Sequence, residues 1–223
     1  MKNTVPKASA TARPKRDPEA SRARILKVAL SEFSAKGYSG ARIDQLALRA
    51  KVNIRMIYHY FGGKEKLYIA VLEQTLAQLR IDETRLDFSD LAPLDGLMQL
   101  FAFIDKHFTH HPELMNLLSF ENLHRARFIK KSNLIPVMAS PVIALLQNLL
   151  QRGAEDGSVR AGIDPLHLYV TLVSLAYFHK SNAYTLSWIF DTDLQQPAWQ
   201  SAHRQQTQHM LLRFLDPTSR ANA

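Results

Sequence analysis

The sequence predicts an all-α fold of about nine helices, a small N-terminal group followed by a larger C-terminal one. Three observations carry this expectation. Apolar residues recur at i, i+3 and i+4 along most of the chain, which gathers them on one face of a helix. Asp17-Pro18 and Asp164-Pro165 each pair an N-cap with a residue whose φ is already helical. No alternation of apolar and polar residues runs long enough for a strand.

The elements follow in order. After the Asp17-Pro18 start, Ile25, Leu26, Ala29, Leu30 and Phe33 form a stripe that stops at Gly37. Arg22, Arg24 and Lys27 fall on the polar side of this helix, within reach of a polyanion, and Tyr38 after the stop is expected in the core. Ile43, Leu46 and Ala47 make a second, short helix. Lys51-Val52-Asn53 breaks the pattern, and Asn53 caps a third helix through Ile57 and Phe61 to Gly62-Gly63. Two short helices joined by a tight turn, with basic residues around them, form a helix-turn-helix. Lys64 opens a long helix carrying Leu67, Val71, Leu72, Leu76 and Leu79. Further helices are expected over residues 93–108, 112–125, 132–153, 164–182 and 197–215. Pro141 should kink the third of these or mark its true start.

Charge divides the chain more sharply than its net value of +8 suggests. Residues 1–70 hold 15 Lys/Arg against 5 Asp/Glu, or +10; residues 71–223 hold 13 against 15, or −2. A basic first third on a near-neutral remainder is the footprint of a polyanion-binding module joined to something else. The organisation read from this is a basic disordered arm (1–16), a helix-turn-helix DNA-binding domain (17–68) and a larger helical domain (69–223). The absence of cysteine excludes disulfides and cysteine metal sites. No apolar run long enough to cross a membrane is evident, and no signal peptide, so a cytoplasmic protein without membrane contact is expected. Neither a phosphate-binding glycine loop nor a nucleophile–base pair is evident, so no enzyme activity and no cofactor are expected. His107, His110 and His111 have no ligand spacing that makes a metal site, with Pro112 directly after them.

Residues 25–72 resemble the TetR family of bacterial transcription regulators. The resemblance rests on FSAKGYSG at the end of the first helix, IDQLALRAKV in the second, and NIRMIYHYFGGKEKLYIAVL beyond it. Leu46-Ala47, Tyr58-His59-Tyr60-Phe61 and Lys64-Glu65-Lys66-Leu67 match the family pattern in the right order. Two positions depart from it: Lys51 stands where the turn usually has Gly, and Ala41 where the second helix usually begins with Thr. HPELMNLLSFENLHR and IDPLHLYVTLVSLAYF resemble a subgroup that includes regulators of pyrimidine use and nicotinate breakdown. Val173 and Tyr177 replace the Trp and Gln of a pyrimidine pocket, so a different small aromatic or N-heterocyclic acid is the expected effector.

Roles follow from chemistry and resemblance together. Ile54, Arg55 and Met56 open the recognition helix, with Arg55 suited to a guanine edge and Arg42 able to reach a base or a phosphate. Lys51, Asn53, Tyr58, His59, Tyr60 and Lys64 form the expected phosphate-contacting set, with Tyr58 the more inward-facing of the two tyrosines. For the effector, Asn122, His124 and Arg127 are singled out, together with Ser174, Tyr177 and Ser181, which share a helical face at i, i+3, i+7. The resemblance implies a homodimer through the last two long helices, double-stranded operator DNA as partner, and repression relieved by the effector. An activator or effector-independent regulator shares every one of these DNA features. A small helical enzyme or interaction protein would have a basic N-terminus by coincidence; steep salt dependence of DNA binding separates it from both regulators.

Overall fold

The computed structural model describes residues 17–86, 88 and 90–218; the expected basic arm, 1–16, lies outside them. Ten α-helices and one short 3-10 turn make up the described part, with no strand in it. Pro18–Gly40 forms α1, capped by Asp17, whose side chain accepts the Glu19 backbone N–H at 2.9 Å. The regular helix stops at Gly37, which takes φ 65°. A Cβ at that position would also sit 2.9 Å from the Phe120 ring, so both backbone and packing select glycine.

Ile43–Arg49 is α2, Ile54–Phe61 is α3 and Lys64–Thr84 is α4. The remaining helices are α5 (Pro93–His110), α6 (Pro112–Leu123), α7 (Leu134–Glu155), α8 (Pro165–Ser181), α9 (Ala183–Ile189) and α10 (Pro197–Leu215). The helix unforeseen from sequence is α9. Its apolar residues continue those of α8, and only the break at Asn182 separates the two. Pro141 neither starts nor ends a helix; it stands inside the 22 residues of α7.

Buried apolar side chains fall into two clusters. One gathers Ile25, Ala29 and Phe33 of α1, Leu46 and Ala47 of α2, Ile57 and Phe61 of α3, and Leu67, Tyr68 and Leu72 of α4. Phe33 meets Tyr68 edge to face at 4.9 Å, and burying each such ring contributes about 1.5–3 kcal/mol. Leu117 of α6 and Phe128 join the same cluster, so α6 lies against α1. The other cluster holds Leu79 of α4 with the inward faces of α5, α7, α8 and α10. The single helix α4 therefore runs through both.

Of the described helices, α7 is long and apolar enough by length and composition to cross a membrane, with a mean hydropathy of 1.5 over its best window. That corrects the expectation that no segment qualifies. Val142, Leu146, Leu149 and Leu150 of α7 are buried in the second cluster, against α4, α5 and α8.

Candidate nucleic-acid interface

The turn between α2 and α3 is a Schellman ending. Val52 N–H donates to the Ala47 carbonyl at 3.0 Å and Lys51 N–H to the Leu48 carbonyl at 3.1 Å. That closure forces Lys51 to φ 53°, the left-handed region glycine adopts more easily. We expect Lys51→Gly to raise stability by roughly 0.5–1 kcal/mol, measured by urea denaturation. The same change should weaken DNA binding, because it removes an exposed cation. A variant that is both less stable and tighter-binding would contradict this reading of the turn.

Arg24 pins the turn from α1: its Nε donates to the Ala50 carbonyl, the C-cap of α2, at 2.9 Å. The sequence puts Arg24 with Arg22 and Lys27 on the polar side of α1, where a polyanion can reach some of them; only the tertiary fold brings Ala50 to Arg24. Arg22 likewise lies over the Phe61 ring, 5.3 Å from its centre. Arg49 of α2 donates to the buried Glu32 carboxylate at 2.5 Å, and Lys36 reaches the other oxygen at 2.7 Å. The Lys36 hydrogen bond, followed by that of Arg49, holds the Glu32 carboxyl below its ordinary pKa against the opposing effect of burial. This fixes α2 on α1 and so sets the angle at which α3 is presented.

Asn53 caps α3 with its Oδ1, which accepts the Arg55 N–H at 2.9 Å. Its oxygen is thereby committed to the helix, so the expected Asn53–phosphate contact falls to its remaining groups. The faces of α3 divide cleanly. Ile57 and Phe61 are buried and Met56 and Tyr60 half-buried, while Ile54, Arg55, Tyr58 and His59 are exposed. The tyrosine assignment from sequence is reversed. Tyr58 is 54% exposed, and Tyr60 packs on the core. The reason is periodicity: Tyr60 lies three residues after the buried Ile57, Tyr58 only one.

Gly62 takes φ 73° as the C-cap of α3, and Gly63 φ 134°, which brings Lys64 to the N-terminus of α4. The Lys64 ammonium sits 4.6 Å from the centre of the Tyr38 ring. Partial burial lowers its pKa. Arg42 makes a two-point pair with Asp44, at 3.1 and 2.7 Å, and both groups are exposed. Such a pair is weak and opens readily to an incoming base or phosphate. Arg42, Lys51, Ile54, Arg55, Tyr58, His59 and Lys64 thus come from the ends of α2, α3 and α4 around one recognition helix.

Two family models match: bacterial regulatory proteins of the tetR family over residues 25–71, and the tetracyclin repressor-like C-terminal domain over residues 93–211. The chain belongs to the TetR family. It is 39% identical over 170 residues to the transcriptional repressor NicS of Pseudomonas putida, covering 76% of this chain and 80% of that one. It is 33% identical over 150 residues to the regulator RutR of Escherichia coli K12, covering 65% and 66% respectively. Among solved structures it resembles HlyIIR, a hemolysin II transcriptional regulator, with a TM-score of 0.52 and 27% identity over 77% of this chain and 93% of that chain. The family and these relatives are regulators, not enzymes; TetR proteins bind operator DNA and typically act as dimers.

In this TetR fold the six effector residues expected from sequence are not gathered. Asn122, His124 and Arg127 are exposed near the end of α6. His124 Nδ1 lies 2.8 Å from the Phe120 carbonyl and Arg127 lies over the Phe128 ring. Ser174 is exposed and donates to the Val170 carbonyl at 2.7 Å. The Tyr177 hydroxyl lies 2.8 Å from Ser119 Oγ on α6, and Ser181 lines a cleft of about 650 Å³ beside Lys180 and Arg204. What sequence reading missed is a buried polar group on α4. Arg80 pairs with Glu83 and donates to the Tyr169 hydroxyl at 2.8 Å, at the edge of a cavity of about 170 Å³ that Leu86, Phe88, Val142 and Leu145 also line. Glu83 Oε1 is buried and has no hydrogen-bond partner. Burial pushes the Glu83 carboxyl up, and the Arg80 charge offsets this only in part. Two charged residues among the last apolar positions of α4 were the available signal.

Proposed function

We propose that this TetR protein is a cytoplasmic, homodimeric transcriptional repressor that a small aromatic or N-heterocyclic acid releases from its operator. Residues 17–68 bind DNA, and residues 69–223 bind the effector and dimerise. The observation that carries the reading is the outward face of α3, with Arg55 and Ile54 exposed at its start and Tyr58, His59 and Lys64 beside them. Arg55 donates to a guanine edge, Ile54 and Met56 meet thymine methyls, and Lys51, Tyr58, His59 and Lys64 hold phosphates, while Tyr60 braces α3 on the core. The relatives named as repressors support the direction of control.

The dimer face is the apolar surface that α8 and α10 leave uncovered. Leu166, Val170 and Phe178 recur in steps of four or eight along α8, and Met210 and Phe214 lie four apart on α10. Ser174 falls in the same row of α8 and belongs to that face, not to a pocket. The effector enters the cavity beside Arg80 and Glu83. Its carboxylate pairs with Arg80 and a ring N–H or hydroxyl donates to Glu83 Oε1. Release requires that the effector favour one spacing of the two recognition helices over another, since equal affinity shifts nothing.

Titrating operator fragments at several salt concentrations tests the DNA reading. Arg55→Ala should lose roughly 1–3 kcal/mol at particular base pairs, whereas Lys64→Ala should weaken every sequence alike and make the salt dependence shallower by about one ion. Equal loss across all sequences for Arg55→Ala, or a changed sequence preference for Lys64→Ala, would count against the division of roles. No salt-dependent binding at all would sink the regulator reading itself.

A further inference from the structure

We infer that Asp82, His107 and His111 form a binding site for a first-row divalent transition metal of the zinc class, joining the end of α4 to the end of α5. One ligating atom from each of these residues lies within 4.8 Å of those of the other two. Bonds of about 2.0–2.2 Å to nitrogen and oxygen set the ligand atoms of a tetrahedral zinc roughly 3.3–3.6 Å apart. Closure therefore needs inward shifts of about an ångström, within the rotamer freedom of Asp82 and of His111 at the helix end.

The chemistry of the set is specific. Two imidazoles and one carboxylate suit zinc and its neighbours better than calcium or magnesium, which take oxygen ligands, and leave a fourth position for water. His107 is buried, and its ring stands 4.3 Å from that of His111, one helical turn on. Asp82 Oδ1 accepts from Gln78 Nε2 at 2.9 Å and from Arg85 Nη1 at 3.3 Å, contacts that restrain the carboxylate. Two arginines stand near the site, and both are paired: Arg80 with Glu83 and Arg85 with Asp82 itself.

In sequence the spacing of His107, His110 and His111 makes no metal site. The fold exchanges one of them. His110 Nδ1 faces the Lys106 carbonyl of its own helix at 2.7 Å, and Asp82 arrives in its place from another helix. No local motif spans the 25 positions from Asp82 to His107.

The test uses the full, untagged chain, stripped with chelator and titrated with Zn²⁺ by calorimetry, with Co²⁺ as a spectroscopic probe of geometry. One equivalent per chain is expected, together with the visible ligand-field bands of tetrahedral Co²⁺. His111→Ala and Asp82→Asn should each weaken binding at least about tenfold, the scale already seen for the loss of groups that merely orient ligands. His110→Ala should bind as the parent does. Absence of saturable binding, parental affinity in His111→Ala, or an equal loss in His110→Ala overturns the assignment. Far-ultraviolet circular dichroism on each variant separates lost ligation from lost folding.

Discussion

Asp105→Ala should cost the fold about 3–5 kcal/mol, the range for removing one partner of a buried ion pair. Asp105 of α5 is buried and accepts from Lys180 of α8 through one oxygen and from Arg204 Nε of α10 through the other, the latter at 2.7 Å. Its side chain is 6% exposed and that of Lys180 5%, so the pair has almost no water to fall back on. Burial works to raise the Asp105 pKa, but the hydrogen bond and charge of Lys180, then those of Arg204, outweigh it and hold the carboxyl below its ordinary value. The sign of the pH effect follows. A carboxyl with a depressed folded pKa contributes stability that is present above its unfolded pKa of 3.8 and lost as pH falls through the folded value. Urea denaturation near pH 7 measures the loss. The Ala variant leaves the Lys180 ammonium with only the Ala176 carbonyl at 3.1 Å, and burial already lowers the pKa of that ammonium. A loss below about 1 kcal/mol would mean that Lys180 reaches solvent or Arg204 repacks, and would contradict the role given to this triad.

Phe178→Glu should convert the dimer to monomers and lower operator affinity by about 10²-fold or more, because each half-site is then bound without the gain from linkage. Phe178 is 58% exposed within a single chain, so a glutamate there is solvated in the monomer and the helix content should be unchanged. In the proposed dimer the same charge meets the apolar face of its two-fold mate, where burial without a partner is costly. Sedimentation velocity and operator titration on the same sample read both consequences. A variant that remains dimeric and binds like the parent would move the interface elsewhere on the surface. The other exposed apolar residues include Trp188, Ile189 and Phe190 at and just beyond α9.

Much of the DNA-binding half was legible because its information is local. The Asp17 and Asn53 caps, the Gly62-Gly63 break and the i, i+4 pair Ile57–Phe61 are all readable within a few residues, and each takes its expected place. The departure at Lys51 was legible too, because the resemblance puts glycine in that turn, and Lys51 takes the left-handed conformation glycine adopts more easily. What was not legible there concerns partners distant in the chain. Arg24 holding the Ala50 carbonyl and Arg49 holding Glu32 each link positions on different helices.

The second half reverses that balance. By itself the amino-acid sequence determined helices, their approximate ends and their apolar faces, because hydrophobic period and capping act over one or two turns. It also determined the charge division that marks the DNA-binding end. Only the tertiary structure decided which polar residues meet. Ser174, Tyr177 and Ser181 share a helical face in sequence, yet packing sends one to solvent, one to α6 and one to a cleft. Arg80, Glu83 and Tyr169 are brought together, as are Asp82, His107 and His111, by helices that cross. The physical reason is that burial sets the direction of each helix face but not its neighbour. The neighbour is chosen by how whole faces fit, and the chemistry of a site depends on that choice.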